Sequence, residues 1–426
     1  MKRFSIKLIP IAVGFFLSAC QGNTPAKTSA EGTSDQIANS ETPAGTVQLE
    51  AESFSGASFE PTKEASVTIP AEQWLGFTVE IPETGRYRVV AMGSSANGGA
   101  VWVEDYVGNK DDRTYDITGK MRFSSSDMQE VSIDGSPLQA GSHSIRIHSA
   151  AGEVKLDWVR FELMIPHSAT KEVLEQQMDG DEWELVWSDE FDADGMPDTT
   201  KWTYNVGNWG WGNNELQYYT NADTKNARVE DGNLIIQAHK DAEGEGWSSA
   251  RLTTQGKTAF LYGKIEFRAK VPTGRGTWSA GWLLGDDYRD EISWPYCGEI
   301  DVLECVGYEI DDETGDGINH ATCHTRAYYF KQGNQIGSEI EVSNMNGEYH
   351  TYAVEWYPNE IRATLDGEHY YTYDKTANEL EWPFSKPQNI IVNLAIGGGW
   401  GGLKGLDENL NEPEYILDYV RVYARK

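Results

Sequence analysis

Apolar and polar residues partly alternate along the chain from Val47 onward. The segments "VTIP" to "WLGFTVEIP", "GRYRVVAMGS", "GAVWVEDY", "QEVSIDG", "GSHSIRIHSA" and "EVKLDWVRFEL" are short and punctuated by turn residues. This pattern predicts an all-β sandwich over residues 47–165. Over residues 166–182 the alternation stops. "SATKEVLEQQMDGDEW" fits one helical turn at most, so the stretch reads as an interdomain linker. From Trp183 strands return, many of them aromatic, without a long helical period, and residues 183–426 read as one large β domain. The expected class is all-β, with two β-sandwich domains.

The beginning of the chain reads differently. Lys2, Arg3 and Lys7 precede the apolar run "LIPIAVGFFLSA", which is too short and wrongly flanked to be a stable spanning helix. Residues 1–19 are therefore expected to be a processing signal. The run ends "LSAC", which resembles the bacterial lipobox. That resemblance implies cleavage before Cys20, acylation of Cys20 and, with Gln21 following, a lipid-anchored protein at the outer membrane or cell surface. Residues 20–46 are rich in Ser, Thr, Ala, Gly and Pro and read as a flexible tether.

Composition removes some function classes. A formal net charge of -32 disfavours nucleic acid and anionic membrane surfaces as partners. The same acidity is also plain solubility chemistry in a salty medium, so it does not select a substrate. Beyond Cys20 the cysteines are Cys297, Cys305 and Cys323, which cannot all pair within one chain. Cys297 and Cys305, read on one strand, would lie roughly 26 Å apart and cannot bridge. Cys305 and Cys323 could meet across neighbouring strands, and their oxidation stays open at this level.

Candidate chemistry concentrates in "WPYCGEIDVLECVG", Trp294 to Gly307. Alternation puts Glu299 and Asp301 on one face of a strand and Ile300 and Val302 on the other. Strict continuation would bury Glu304 and expose Leu303. One bulge near Val302 or Leu303 returns Glu304 to the carboxylate face and keeps both apolar residues packed. Retaining glycosidases need two carboxyl groups about 5–5.5 Å apart. The reading open beside catalysis is an acidic edge strand facing water.

"GEIDVLE" resembles the catalytic signature of glycoside hydrolase family 16 in the bulged form of its β-1,3-glucanases, the laminarinases. "VWSDEFD", "WGWGNNELQYYT", "SARLTTQGKTAFLYGKIEFRAKVPTGRGTWSAGWLLG", "YHTYAVEWYPNEI", "IIVNLAIGGGWGG" and "ILDYVRVY" are similar to laminarinase segments in the same order. The resemblance implies a concanavalin-like jelly roll with a concave glycan cleft. It implies Glu299 as nucleophile, Asp301 as electrostatic helper and Glu304 as acid/base, acting on β-glucan with no cofactor for catalysis. Hydrolysis of mixed-linkage glucan or a galactan, and inert surface glycan binding, are the alternatives.

Trp209, Trp211, Trp278, Trp282, Trp294 and Trp400 are candidate sugar platforms, with core packing the competing role for each. By resemblance, Asn214 bonds sugar hydroxyls, Glu215 is a ligand contact or a structural cap, and Arg251 reaches Glu299 and keeps it ionised. His324 contacts the acid/base or is a satisfied cross-strand histidine. Asn393 and Trp400 close the far rim. The family's structural calcium maps to Glu190, Gly232 and Asp418. "VQLEAESFSG" and "LQAGSHSIRIHSAAGEVKLDWVRFEL" resemble the ends of a family 6 carbohydrate-binding module, which places Glu50, Glu52 and Asp157 near a second calcium. Trp74 or Phe77 would supply its stacking ring. A spacer without glycan binding is the other reading of this domain. Oligomeric state is not readable from the sequence.

Overall fold

The computed structural model describes residues 45–108, 113–241 and 246–426. Residues 1–44, with the signal and the lipidation site at Cys20, lie outside them. Among the described residues there is no α-helix, only three short 3-10 turns between strands. The all-β expectation holds.

Two layered sandwiches follow one another. In the first, a sheet of Thr46–Glu50, Val154–Pro166, Gly85–Ser94 and Gln129–Leu138, with Val67–Ile69 at its side, faces a sheet of Gly56–Ala57, Trp74–Ile81, Gly141–Ala151, Ala100–Asp105 and Met121–Arg122. Val79, Val89, Ile147, Val159 and Phe161 fill the space between them. Phe77 belongs to this core at 4% exposure, so it presents no ring to a ligand.

The second sandwich packs a nine-stranded sheet on an eight-stranded one. The outer layer is centred on Glu414–Arg425 and Gly263–Lys270, and the latter alternates buried and half-buried positions without a break. The other layer runs through Gln388–Ile396, Thr277–Gly285, Glu299–Val306 and Gly317–His324 in that order. Every residue of Gln388–Ile396 is buried, as expected for a central strand covered on both faces. Phe267, Leu283, Ile300, Val302, Leu303, Val392 and Val420 form the shared core.

Two expectations need correction. The stretch at 166–182 is not a free linker with a helical turn. Glu172–Glu175 adds a parallel strand to Thr258–Leu261, so the connection is part of the nine-stranded sheet. Backbone pairing with an available sheet edge decided this, and side-chain periodicity carries no trace of it. Cys297 precedes the carboxylate strand rather than lying on it, because the strand begins at Glu299 and Trp294–Cys297 form a turn. Cys297, Cys305 and Cys323 are all free and buried, and Cys323 lies opposite Ile300 rather than Cys305.

The sandwiches meet at Asp134 and Asn208. Asp134 N–H donates to Asn208 Oδ1 at 2.8 Å, and Asn208 N–H donates to Asp134 O at 2.9 Å. Gly135 and Gly207 face each other at this contact with positive φ, +93° and +131°. A β-carbon on Gly135 would strike the Val206 carbonyl, and one on Gly207 the Asp134 carbonyl. The loop clamped here carries Trp209, Trp211, Asn214 and Glu215 towards the concave face.

Candidate active site

The strand Glu299–Val306 is paired on both sides, and its register contains the bulge. Ala280 lies opposite Glu304 and Gly281 opposite Leu303, whereas the next residue, Trp282, lies opposite Asp301. Val302 is the extra residue. Val302 and Leu303 are 1% and 0% exposed in the core, while Glu299, Asp301 and Glu304 all line one cavity of about 610 Å³. The parity problem in the sequence is resolved at the position where the apolar pair demanded it.

A residue that the sequence reading missed pins this bulge. Asn319, fully buried on the neighbouring strand, donates from Nδ2 to Val302 O at 3.0 Å and accepts from Glu304 N–H at 3.0 Å. Its amide thus satisfies the two backbone groups that the broken ladder leaves over. Nothing in "GINHATCH" marks it beyond an amide in an otherwise buried strand.

Indole N–H groups hold the carboxylates. Trp294 donates to Glu299 Oε2 at 2.9 Å, and Trp278 donates to Glu304 Oε1 at 3.1 Å. Trp282 donates instead to Asn393 Oδ1 at 2.8 Å. Asn393 Nδ2 in turn donates to the Tyr219 hydroxyl at 3.1 Å, and that hydroxyl donates to Glu215 Oε2 at 3.2 Å. Asn393 therefore sits mid-strand in the cleft floor, not at the far rim, and its amide orients Trp282. Trp278, Trp282 and Trp400 keep partly exposed rings, with Trp400 edge-on to Trp278 at 5.5 Å. Trp294 is 8% exposed and packs near Phe330, which is 42% exposed and also lines the cleft.

Trp209 and Trp211 differ from the expectation of open platforms. They are 3% and 6% exposed and pack with Tyr219 and with Ile133 of the first sandwich. The guanidinium groups of Arg86 and Arg251 lie over the Trp211 ring at 4.7 and 4.8 Å. Their Gly-rich loop builds no core alone, and the first sandwich supplies the missing wall. Asn214, by contrast, is exposed on the cleft edge, and Glu215 accepts from Gln217 Nε2 at 2.7 Å, a structural engagement.

His324 lies directly opposite Glu299 in the ladder. Its Nε2 is 3.4 Å from Asp301 Oδ2 and 3.9 Å from Glu299 Oε1, so it neighbours the nucleophile and its helper rather than the acid/base. Burial lowers its pKa to about 4, which leaves the ring neutral near pH 7. Glu299, Asp301 and His324 also bring potential metal-ligand atoms within 4.8 Å of one another, while Trp294 engages the Oε2 atom of Glu299.

The electrostatics separate the roles. Burial raises Glu304 to about 8, helped by the Glu299 charge and opposed by the Trp278 hydrogen bond. Burial raises Glu299 to about 7, opposed first by the Trp294 hydrogen bond and then by the Arg251 charge. Arg251 thus favours the ionised nucleophile, as expected, yet desolvation outweighs it. Asp301 is raised by burial and then by the charges of Glu304 and Glu299, and its Oδ2 is buried without a hydrogen-bond partner.

The proposed calcium ligands behave unequally. Both oxygens of Glu190 accept from Arg421, at 2.9 and 2.7 Å, and Asp418 is paired with Arg268. Both carboxylates are therefore engaged by guanidinium groups. In the first sandwich, Glu50 lies opposite Trp158, next to Asp157, and Glu52 Oε2 is buried with no hydrogen-bond partner. Those oxygens suit a hard cation.

Comparison with known proteins agrees with the geometry. The family model described as "Glycosyl hydrolases family 16" matches residues 214–420. A "Beta-glucanase" of Rhodothermus marinus is 47% identical over 249 residues, covering 57% of this chain and 85% of that protein. A "Glucan endo-1,3-beta-glucosidase" of Cryptopygus antarcticus is 34% identical, over 56% of this chain and 92% of that protein. The X-ray structure of the laminarinase from Rhodothermus marinus superposes with a TM-score of 0.53 at 46% identity, over 57% of this chain and 98% of that one. With the bulged carboxylate row in place and likeness of this extent, the chain belongs to glycoside hydrolase family 16.

Proposed function

We infer that the protein cleaves β-1,3-glucan internally, with retention of anomeric configuration. The observation that carries this is the bulge at Val302, which turns Glu304 onto the face of Glu299 and Asp301. Glu304 gives its proton to the glycosidic oxygen while Glu299 attacks the anomeric carbon. The C–O bond to the leaving sugar breaks and a glycosyl ester on Glu299 forms. Glu304, now ionised, takes a proton from water, the water oxygen attacks the same carbon, and Glu299 leaves as carboxylate. Trp278 and Trp294 orient the two carboxyl groups throughout. Trp278, Trp282 and Trp400 offer rings to sugar faces.

The first sandwich is read as a family 6 carbohydrate-binding module, with Glu50, Glu52 and Asp157 holding a structural calcium. A lipid on Cys20 would anchor the chain at the outer membrane. Buried, unpartnered Glu52 Oε2 supports the cation, and the lipobox resemblance supports the anchor.

Digestion of laminarin, lichenan, agarose and carrageenan by wild type and Glu299→Gln tests the catalytic reading. Laminarin cleavage giving the β-anomer first, lost in the variant, is the expected result. Failure of the wild type on every β-glucan would end this reading, and preference for lichenan would move it to mixed-linkage glucan.

A further inference from the structure

Beyond Glu299 the cleft does not end on its own domain. A second cavity of about 180 Å³ adjoins it, lined from the first sandwich by Arg113, Thr114 and Asp116. Trp209, Gly212, Asn214, Glu291 and Lys331 line both this cavity and the main cleft. Lys331 Nζ of the shared lining lies 5.4 Å from the ring of Trp294, which holds Glu299, so the boundary reaches the Glu299 end of the carboxylate row.

The boundary is built and charged. Arg113 donates from Nη1 to the carbonyl of Trp294 at 2.6 Å, so the first sandwich is tied to the residue that holds the nucleophile. Asp116 Oδ1 accepts from the N–H groups of Thr118 and Gly119 at 3.1 and 2.8 Å, which fixes its carboxylate at the cavity wall. Glu291 accepts from the Tyr288 hydroxyl at 3.0 Å. Lys331 lines both spaces, and its charge lowers the pKa of Asp116, Glu291 and Glu299.

Among the described residues, two cations and two carboxylates line this space, which leaves little net field. Such a set suits a neutral polyhydroxyl ligand and offers an anionic sugar no excess of positive charge. The volume equals about six waters at roughly 30 Å³ each, the scale of one pyranose with its hydroxyls. Because Glu304 protonates the leaving oxygen, the space beyond Glu299 is on the glycon side.

We propose that Arg113 and Asp116 of the first sandwich, with Asn214, Glu291 and Lys331 of the second, form a distal glycon subsite for a glucosyl residue of the chain being cleaved. This rests on the β-glucan reading and adds to it. The first sandwich then extends the catalytic groove itself, whether or not it binds glycan elsewhere.

Thr114 is exposed and lines the second cavity, so Thr114→Trp fills it without touching the carboxylate row. Asp116→Asn, which keeps an acceptor for Thr118 and Gly119, is the milder second variant. The measurement is kcat/KM for β-1,3-gluco-oligosaccharides of increasing length, with thermal melting of each variant. The ratio of long to shortest cleaved substrate should fall about tenfold in Thr114→Trp, the equivalent of about 1.4 kcal/mol, and less in Asp116→Asn. Cleavage of reducing-end-labelled oligomers should shift towards shorter glycon fragments. A flat ratio in folded variants, with the wild type active on laminarin, overturns the subsite alone and leaves an interface crevice. A wild type inactive on laminarin overturns the β-glucan reading and the subsite with it.

Discussion

Trp294 donates its indole N–H to Glu299 Oε2 at 2.9 Å, five residues away along the chain and across a tight turn. This bond favours the ionised form of a carboxyl group that burial raises to about 7. A nucleophile must be ionised, so activity rises as pH rises through this value. Trp294→Phe removes the donor, lifts the Glu299 pKa further, and should move the acidic limb of the kcat/KM profile upward. A hydrogen bond to a charged group is worth about 1.5–3 kcal/mol, so a loss of about tenfold or more is expected at pH 6. An acidic limb that stays in place would show that Trp294 acts only through packing.

The matching bond from Trp278 affects the other limb. Glu304 must carry a proton for the first step, and activity falls as pH rises through its value of about 8. Trp278 favours the ionised form, so Trp278→Phe should move the alkaline limb up, together with a higher KM from the lost ring. The two limbs belong to the coupled pair, and both variants should be fitted with macroscopic values. A downward shift of the alkaline limb would contradict the assignment of Glu304 as acid.

Stability should carry the same signature. A glutamate raised from 4.5 to about 8 in the folded state binds a proton that the unfolded chain has already lost between those values. Its contribution is present below pH 4.5 and declines as pH rises towards 8. Glu304→Gln removes this penalty, so the variant should be inactive yet melt a few degrees above wild type at pH 8, with a smaller gap at pH 5. Thermal scans at the two pH values decide it, and an equal gap at both would refute the linkage.

Asn319→Ala tests the bulge directly. Removing the amide leaves Val302 O and Glu304 N–H without their partner, at a cost of about 1–3 kcal/mol each if they stay buried and unpaired. The variant should lose most of its kcat and several degrees of melting temperature. Asn319→Asp, which keeps an acceptor for Glu304 N–H but lacks the donor to Val302 O, should retain more stability than the alanine variant.

Where the sequence was legible, one rule carried it. Val302 and Leu303, adjacent apolar residues between acids, cannot both be buried in a regular strand beside three exposed carboxylates, and the bulge follows. Partners remote in sequence were not legible. Trp209 and Trp211 looked exposed because Ile133 and Arg86, which cover them, belong to the other sandwich. Which carboxylate His324 meets is set by cross-strand register, on which face parity is silent; it lies opposite Glu299. Glu172–Glu175 pairs through its backbone, which has no side-chain signature.

The paired glycines at 135 and 207 bear on how such a chain can be rebuilt. Their backbones touch where the first sandwich meets the loop that furnishes Trp209 to Glu215, so that sandwich buttresses the loop directly. A chimera that exchanged this sandwich for a different binding domain would inherit every catalytic residue and lose the Asp134–Asn208 clasp on the loop.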